Sequence, residues 1–136
     1  MRKLLFCLWQ WIWGLPQNLL GLILMIYHHN KRRSTYRGCF VTHWDSTGSM
    51  SLGMFLFLGN TKDPKVLVHE YGHSIQSLIL GPLYLPIIGI PSFVWCNLPH
   101  CRKLRKEKGV SYYRFYPESN ANYLGKLITK EDCDLV

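Results

Sequence analysis

Two long apolar blocks dominate the pattern of hydrophobic and polar positions along the chain. They cover residues 4–27 and 78–98, and neither contains an acidic or basic side chain. The first block is about long enough to cross a bilayer, which takes roughly 20 helical residues. It predicts a membrane anchor over residues 4–27, either a transmembrane helix or a helix lying in the interface, with a buried core helix as the alternative.

The second block is broken by prolines and glycines and is not compatible with one straight helix. We therefore expect residues 82–98 to form an apolar membrane segment or interfacial segment, as a re-entrant loop or a broken span. The residues that interrupt it are Gly81, Pro82, Pro86, Gly89 and Pro91.

Between the two blocks, short aromatic and aliphatic runs are bounded by Gly, Asp, Ser and Asn. This pattern predicts a short β-hairpin over residues 38–60, joined near the DSTG sequence at 45–48. The second run, SLGMFLFLG, is apolar on both alternations, so it should be covered on both faces or lie against lipid.

A capped helix is predicted between the hairpin and the second apolar block. Asp63 followed by Pro64 is a typical helix start, and Gly81 followed by Pro82 is a typical stop. The helix should therefore cover residues 64–80. No proline falls between these signals.

This helix carries the sequence HEYGH. His69 and His73 are one turn apart and project from the same face, a spacing at which two imidazoles can bind one Zn²⁺. Glu70 is rotated about 100° from the first histidine and can take a proton from metal-bound water. The alternative interpretation is a helix with two histidines that bind no metal.

A zinc hydrolase normally supplies three protein ligands and leaves one position open. The best third candidate is Glu118, which follows Pro117 at the start of a predicted helix within the strand-and-helix region 110–127. Asn122, four residues later on the same face, can hydrogen-bond the outer nitrogen of a ligand histidine. Other candidates for the third ligand are His43, Asp45 and, less favoured, His28, His29 and His100.

HEYGH followed downstream by Glu118 and Asn122 resembles the gluzincin branch of zinc metallopeptidases, the thermolysin-like pattern of HExxH and then ExxxD. The resemblance implies that His69, His73 and Glu118 bind zinc and that Glu70 is the general base. Asn122 stands where that pattern usually has Asp. The runner-up is an intramembrane, site-2-type metalloprotease, whose downstream Asp motif this chain lacks.

Charge and cysteine content add two further constraints. The 136-residue chain has a net charge of +8, and its cations flank the apolar blocks, which favours anionic lipid headgroups over nucleic acid as the partner. Five cysteines at scattered spacings do not resemble a disulfide framework, and Cys96, His100 and Cys101 lack the paired spacing of a structural zinc site. The aromatic residues at 112–116 are interpreted as packing of a strand.

Together these patterns predict one membrane-associated α+β domain over residues 1–136. We expect a zinc metallopeptidase, integral in the cell membrane or tightly peripheral to it, that hydrolyses a peptide or protein substrate with zinc-activated water. The alternative is a non-catalytic membrane subunit or scaffold with a metal-binding or vestigial HExxH helix. The oligomeric state, the membrane orientation and the identity of the substrate do not follow from the sequence.

Overall fold

The computed structural model describes residues 2–133 and residue 135. Two short 3₁₀ turns lie at Gly81–Leu83 and Tyr112–Arg114, and a π-helical stretch lies at Leu85–Gly89. The helices are α1 (Arg2–Trp13), α2 (Leu15–Tyr27), α3 (Pro64–Leu80), α4 (Ile90–Asn97), α5 (Pro99–Lys108) and α6 (Tyr116–Thr129). The strands are β1 (Arg32–Tyr36), β2 (Cys39–His43), β3 (Met50–Leu52) and β4 (Phe55–Leu58).

The prediction of a transmembrane helix over residues 4–27 is wrong. Within the described residues, no helix is both long enough and apolar enough to cross a membrane. The apolar block divides at Gly14 into α1 and α2, of 12 and 13 residues, whereas a span takes roughly 20. Pro16 lies in the first turn of α2, where its missing N–H is tolerated, so it marks a new helix start after the break.

The predicted hairpin is replaced by a four-stranded mixed sheet with the order β1-β2-β4-β3. The second run of the predicted hairpin forms both β3 and β4, and β4 pairs in parallel with β2 of the first run, with Phe40 opposite Phe55 and His43 opposite Leu58. β3 completes the sheet as an edge strand antiparallel to β4. All four residues of β4 are buried, which agrees with its apolar character on both alternations.

Two further segments can be compared with the predictions. The apolar segment 82–98 is not one straight helix, as its prolines and glycines predict: the 3₁₀ turn and the π-helical stretch precede α4. The expected strand near residue 112 is a 3₁₀ turn, in which the Ser111 hydroxyl accepts a hydrogen bond from the backbone N–H of Tyr113 at 3.2 Å.

The core lies between the sheet and α3, and α6 packs on α3 at very short range. Phe55, Leu56 and Phe57 of β4 form the centre of this core. Glycines make the close approach of the two helices possible: a Cβ on Gly72 of α3 would overlap the carbonyl oxygen of Ala121 in α6. This approach brings the first turn of α6 beside the HEYGH residues.

Candidate metal centre

Helix α3 holds its two histidines in the interior of the molecule. It begins at Pro64 and ends at Leu80, the bounds expected from its caps. The Asp63 carboxylate accepts a hydrogen bond from the backbone N–H of Lys65 at 3.0 Å, which satisfies one of the unpaired N–H groups of the first turn. His69 and His73 lie in the buried middle of the helix, and their ring centroids are 4.8 Å apart.

Helix α6 places Glu118 directly opposite these two rings. The side chain is fully buried, and its Oε2 lies 3.0 Å from Nε2 of His69 and 3.1 Å from Nε2 of His73. Within the described part of the chain, these three residues are the group whose ligand atoms could hold a metal ion. Donor atoms bound to zinc at tetrahedral angles are about 3.3 Å apart, close to the distances found here.

The outer nitrogens of both rings face amide oxygens. Nδ1 of His69 lies 2.6 Å from Oδ1 of Asn122, and Nδ1 of His73 lies 2.7 Å from Oε1 of Gln76. An amide oxygen only accepts, so Nδ1 of each ring must carry the hydrogen. In the neutral tautomer each Nε2 therefore presents a lone pair to Oε2 of Glu118. Three converging lone pairs require a cation or an added proton, and the donor set of two imidazoles and a carboxylate fits zinc.

The charges of His73 and Glu118 affect one another across the site. Burial alone lowers the pKa of His73, but the hydrogen bond and the negative charge of Glu118 outweigh it and raise the pKa to about 9. Burial alone raises the pKa of Glu118, but the hydrogen bonds that it accepts from His69 and His73 when their Nε2 atoms are protonated hold it far below its usual range. The carboxylate is therefore ionised and the site favours positive charge at its centre.

Glu70 lies beside this cluster rather than within it. Its carboxylate Oε2 accepts a hydrogen bond from the hydroxyl of Ser51 at 2.5 Å, and its own backbone oxygen accepts from the same hydroxyl at 2.8 Å. Both Glu70 and His73 line a cavity of about 370 Å³. The Glu70 carboxylate is thus held in one orientation by Ser51, and it borders the same cavity as His73.

The residues that line this cavity come from separate elements. β3, the edge strand, contributes Met50, Ser51 and Leu52. Other lining residues come from α4, such as Phe93, and from the turn before α6, such as Tyr112.

The other oxygen of Glu118 is held by Ser92 of α4. The hydroxyl of Ser92 donates a hydrogen bond to Oε1, and Tyr112 is in turn hydrogen-bonded to Ser92. Burial, together with the negative charge of Glu118, keeps the pKa of Tyr112 above its ordinary value, so its hydroxyl stays protonated. The carboxylate is therefore fixed at one oxygen, and the other oxygen faces the histidines.

The other candidates for the third ligand lie away from this centre. Nε2 of His43 is hydrogen-bonded to the hydroxyl of Ser34 at 3.0 Å, and Asp45 forms an ion pair with Lys31. His29 and His100 are exposed, and Nδ1 of His28 is hydrogen-bonded to the carbonyl oxygen of Leu24. Cys96 lines the cavity, but among the described residues it forms no metal-binding group with His100 and Cys101.

Sequence reasoning missed three supporting residues. Gln76 could have been found, because it lies three residues after His73 and thus on the same helix face. Ser51 and Ser92 carry no sequence signal of their own, since each reaches its carboxylate from a different element.

Comparisons with family models, with curated proteins and with solved structures found no match to this chain.

Proposed function

We propose that this protein is a zinc-dependent metallopeptidase that hydrolyses a peptide bond in a peptide or protein substrate. The observation that carries the proposal is the convergence of Nε2 of His69, Nε2 of His73 and Oε2 of Glu118 inside the protein, with Glu70 beside them in a cavity. These positions agree with the roles that the gluzincin resemblance implies for the same four residues.

Each residue has a separate task in this proposal. His69, His73 and Glu118 hold the ion, which when bound supplies an activated water and polarises the substrate carbonyl. Glu70 accepts the proton of the attacking water and later delivers it to the leaving amine. The hydroxyl of Ser51 keeps the Glu70 carboxylate turned towards the cavity.

The cavity supports a polypeptide as the substrate. β3 is a sheet edge and borders the cavity next to Glu70. Extended peptides bind to such edges by backbone hydrogen bonds, while their side chains occupy neighbouring pockets. The apolar residues of α4 that line the same cavity, such as Ile90 and Phe93, would contact those side chains.

The proposal is tested by measuring zinc and turnover on the same set of variants. Zinc content is measured by elemental analysis, and turnover with a fluorescently labelled unfolded protein. We expect the wild type to hold about one zinc per chain and Glu118→Ala or His73→Ala to lose it. Glu70→Gln should keep the metal and lose about 10²- to 10⁴-fold in turnover, because only the proton transfer is removed.

Glu107→Gln is the matched control, since it neutralises an exposed carboxylate on α5 and should leave both quantities unchanged. Equal zinc in the wild type and Glu118→Ala would refute the ligand set. Full turnover by Glu70→Gln would refute the hydrolytic role and favour a protein that binds metal without catalysis.

A further inference from the structure

The helices α1 and α2 have an inverted distribution of polar and apolar side chains. Gln10, Gln17 and Asn18 are completely buried. On the outer side of the same helices, side chains such as Ile12 and Ile23 are 76% and 57% exposed. A helix that borders water normally buries its apolar stripe and exposes its polar face, so this outer surface is built for an apolar neighbour.

The buried amides fix this orientation of the helices. Gln10 donates to the carbonyl oxygen of Ser74 at 3.0 Å. The Asn18 side chain accepts from the backbone N–H of Met54 at 2.8 Å, and Gln17 donates to a hydroxyl and a carbonyl oxygen at the end of α3. Rotating the helices to bury the leucines would break these bonds and leave buried polar groups without partners. The apolar outer face is therefore a specified feature of the fold.

The apolar face continues beyond α1 and α2 onto the end of α3. Nε1 of Trp13 donates to the carbonyl oxygen of Ile79 at 3.4 Å, so the end of α1 lies on the last turn of α3. Ile79 lies in this last turn and Leu83 in the 3₁₀ turn that follows it, and their side chains are 60% and 55% exposed. We call the surface formed by these exposed residues the apolar belt; its central members are Leu8, Ile12, Leu19, Ile23, Ile79 and Leu83.

The exposed apolar side chains extend from the belt to the cavity that contains Glu70. Ile87 and Ile90 follow Leu83 at spacings of four and three residues in the helical segment, and both are exposed. Ile90 and the exposed Phe93 line the cavity itself. Exposed apolar side chains therefore occur at regular spacing along the chain from the belt to the rim of the cavity.

Positive charge occurs at both ends of the α1–α2 pair. Arg2 and Lys3 lie at the start of α1, and Arg32 and Arg33 follow α2, all of them exposed. Residues 1–44 contain no Asp or Glu. Anionic headgroups attract such cations, and tryptophans such as Trp9 suit the boundary between headgroups and acyl chains. A second copy of the chain on the same face would bring these like charges together, which disfavours self-association.

We propose that the apolar belt docks this protein peripherally on an anionic phospholipid bilayer, with the cations at both ends of the α1–α2 pair against the headgroups. In this position the rim formed by Ile90 and Phe93 faces the bilayer surface. The substrate would then be a polypeptide segment that lies at the bilayer surface. This consequence rests on the proposed peptidase function.

Vesicle flotation tests the docking surface independently of turnover. The Glu70→Gln protein, which is not expected to hydrolyse anything, is mixed, with and without added zinc, with phosphatidylcholine vesicles that contain or lack phosphatidylglycerol. We expect stronger binding to the anionic vesicles, by about fivefold for each cation that reaches the surface. Adding Ile12→Glu and Ile23→Glu together should reduce binding at least about tenfold, because two charges would enter the apolar boundary.

Ile128→Glu is the control, since Ile128 is also exposed but lies on α6, outside the belt. Phe93→Glu tests the cavity rim and should weaken binding as well. Equal binding by the double variant and the control would overturn the proposal. So would a wild type that ignores vesicles and forms a dimer that the double variant converts to monomer. Unchanged binding by Phe93→Glu would overturn the placement of the rim, whether or not the protein is a peptidase.

Discussion

At the scale of single residues, the candidate centre depends on neutral amides that orient the histidines. The outer nitrogens of His69 and His73 face Asn122 and Gln76, at 2.6 and 2.7 Å. Zinc-binding histidines are more often oriented by a carboxylate, which makes the ring more basic. The amides therefore fix the direction of each Nε2 lone pair without adding a further buried carboxylate beside Glu70 and Glu118.

Asn122→Ala should weaken zinc binding by about 10- to 100-fold, because His69 loses the acceptor that fixes its tautomer. Asn122→Asp should bind zinc at least as tightly as the wild type, since a carboxylate accepts the same hydrogen bond. Competition with a chromophoric chelator measures both affinities. Asn30→Ala, at an exposed asparagine in the turn after α2, is the control. Wild-type affinity in Asn122→Ala would exclude this orienting role.

At the scale of elements, the distance between α3 and α6 decides whether the third carboxylate reaches the histidines. Gly72 and Gly125 are the points of closest approach, and a Cβ on Gly125 would lie 2.5 Å from the carbonyl oxygen of Val68. These are backbone contacts, which no change of side-chain rotamer can relieve. The glycines therefore allow the two helix backbones to lie close enough for Glu118 to reach the histidines.

Gly72→Ala should lower the free energy of unfolding by about 1–3 kcal/mol and also weaken zinc binding, because the added methyl group pushes α6 away from α3. Helix propensity alone predicts the opposite sign, since Ala is favoured over Gly in a helix interior by up to about 1 kcal/mol. Urea denaturation and a zinc titration measure the two effects.

Gly48→Ala is the matched control for this exchange. A Cβ on Gly48 meets no atom within 4 Å, and its backbone does not require a positive φ. We expect little change in stability or zinc affinity from this variant. A Gly72→Ala protein that is more stable than the wild type would contradict this prediction, because it would show that α3 and α6 can move apart without loss of stability.

At the scale of the whole molecule, the fold encloses its polar groups and exposes much of its apolar surface on one side. Buried amides join α1 and α2 to α3, and a buried charged cluster joins α3 to α6. Breaking either set in the interior leaves unsatisfied polar groups, which costs more than the net gain of forming them. The stability of the metal-free protein should therefore depend on the protonation of the cluster.

Metal-free protein should lose stability as the pH rises from below 6.5 through about 9, because the pKa of His73 is raised to about 9 in the folded state. The contribution of the protonated ring is complete below its unfolded pKa and is lost as the pH passes the folded value. Glu118 acts in the opposite direction. Because its pKa is lowered in the folded state, it stabilises the fold at pH values above the ordinary pKa of a glutamate, and this contribution is lost on acidification.

Thermal melting of chelator-treated protein across this pH range measures the effect, and the midpoint should fall by several degrees on the alkaline side. Excess zinc should abolish the alkaline fall, since the metal binds unprotonated imidazoles. His100→Gln, at an exposed histidine, should behave like the wild type. A flat alkaline profile in the metal-free protein would contradict the charged pair of His73 and Glu118.

The sequence alone determined those features that are set within a few neighbouring residues. Asp63, Pro64 and Gly81 define the ends of α3, and the spacing of His69 and His73 defines a shared face, because both follow from local helix geometry. The Pro–Glu sequence at 117–118 likewise indicated the start of α6 and made Glu118 the leading candidate for the third ligand.

The tertiary structure decided everything that depends on contacts between distant segments. It brought Glu118 to the histidines and turned the polar residues of α1 and α2 inward. It also paired β2 with β4 in parallel, which no local turn signal encodes. Ser51 and Ser92 acquire their roles only because β3 and α4 pass beside the two carboxylates. Such contacts form between residues that are tens of positions apart in the sequence. Their energies depend on which polar groups lose contact with water when the chain folds.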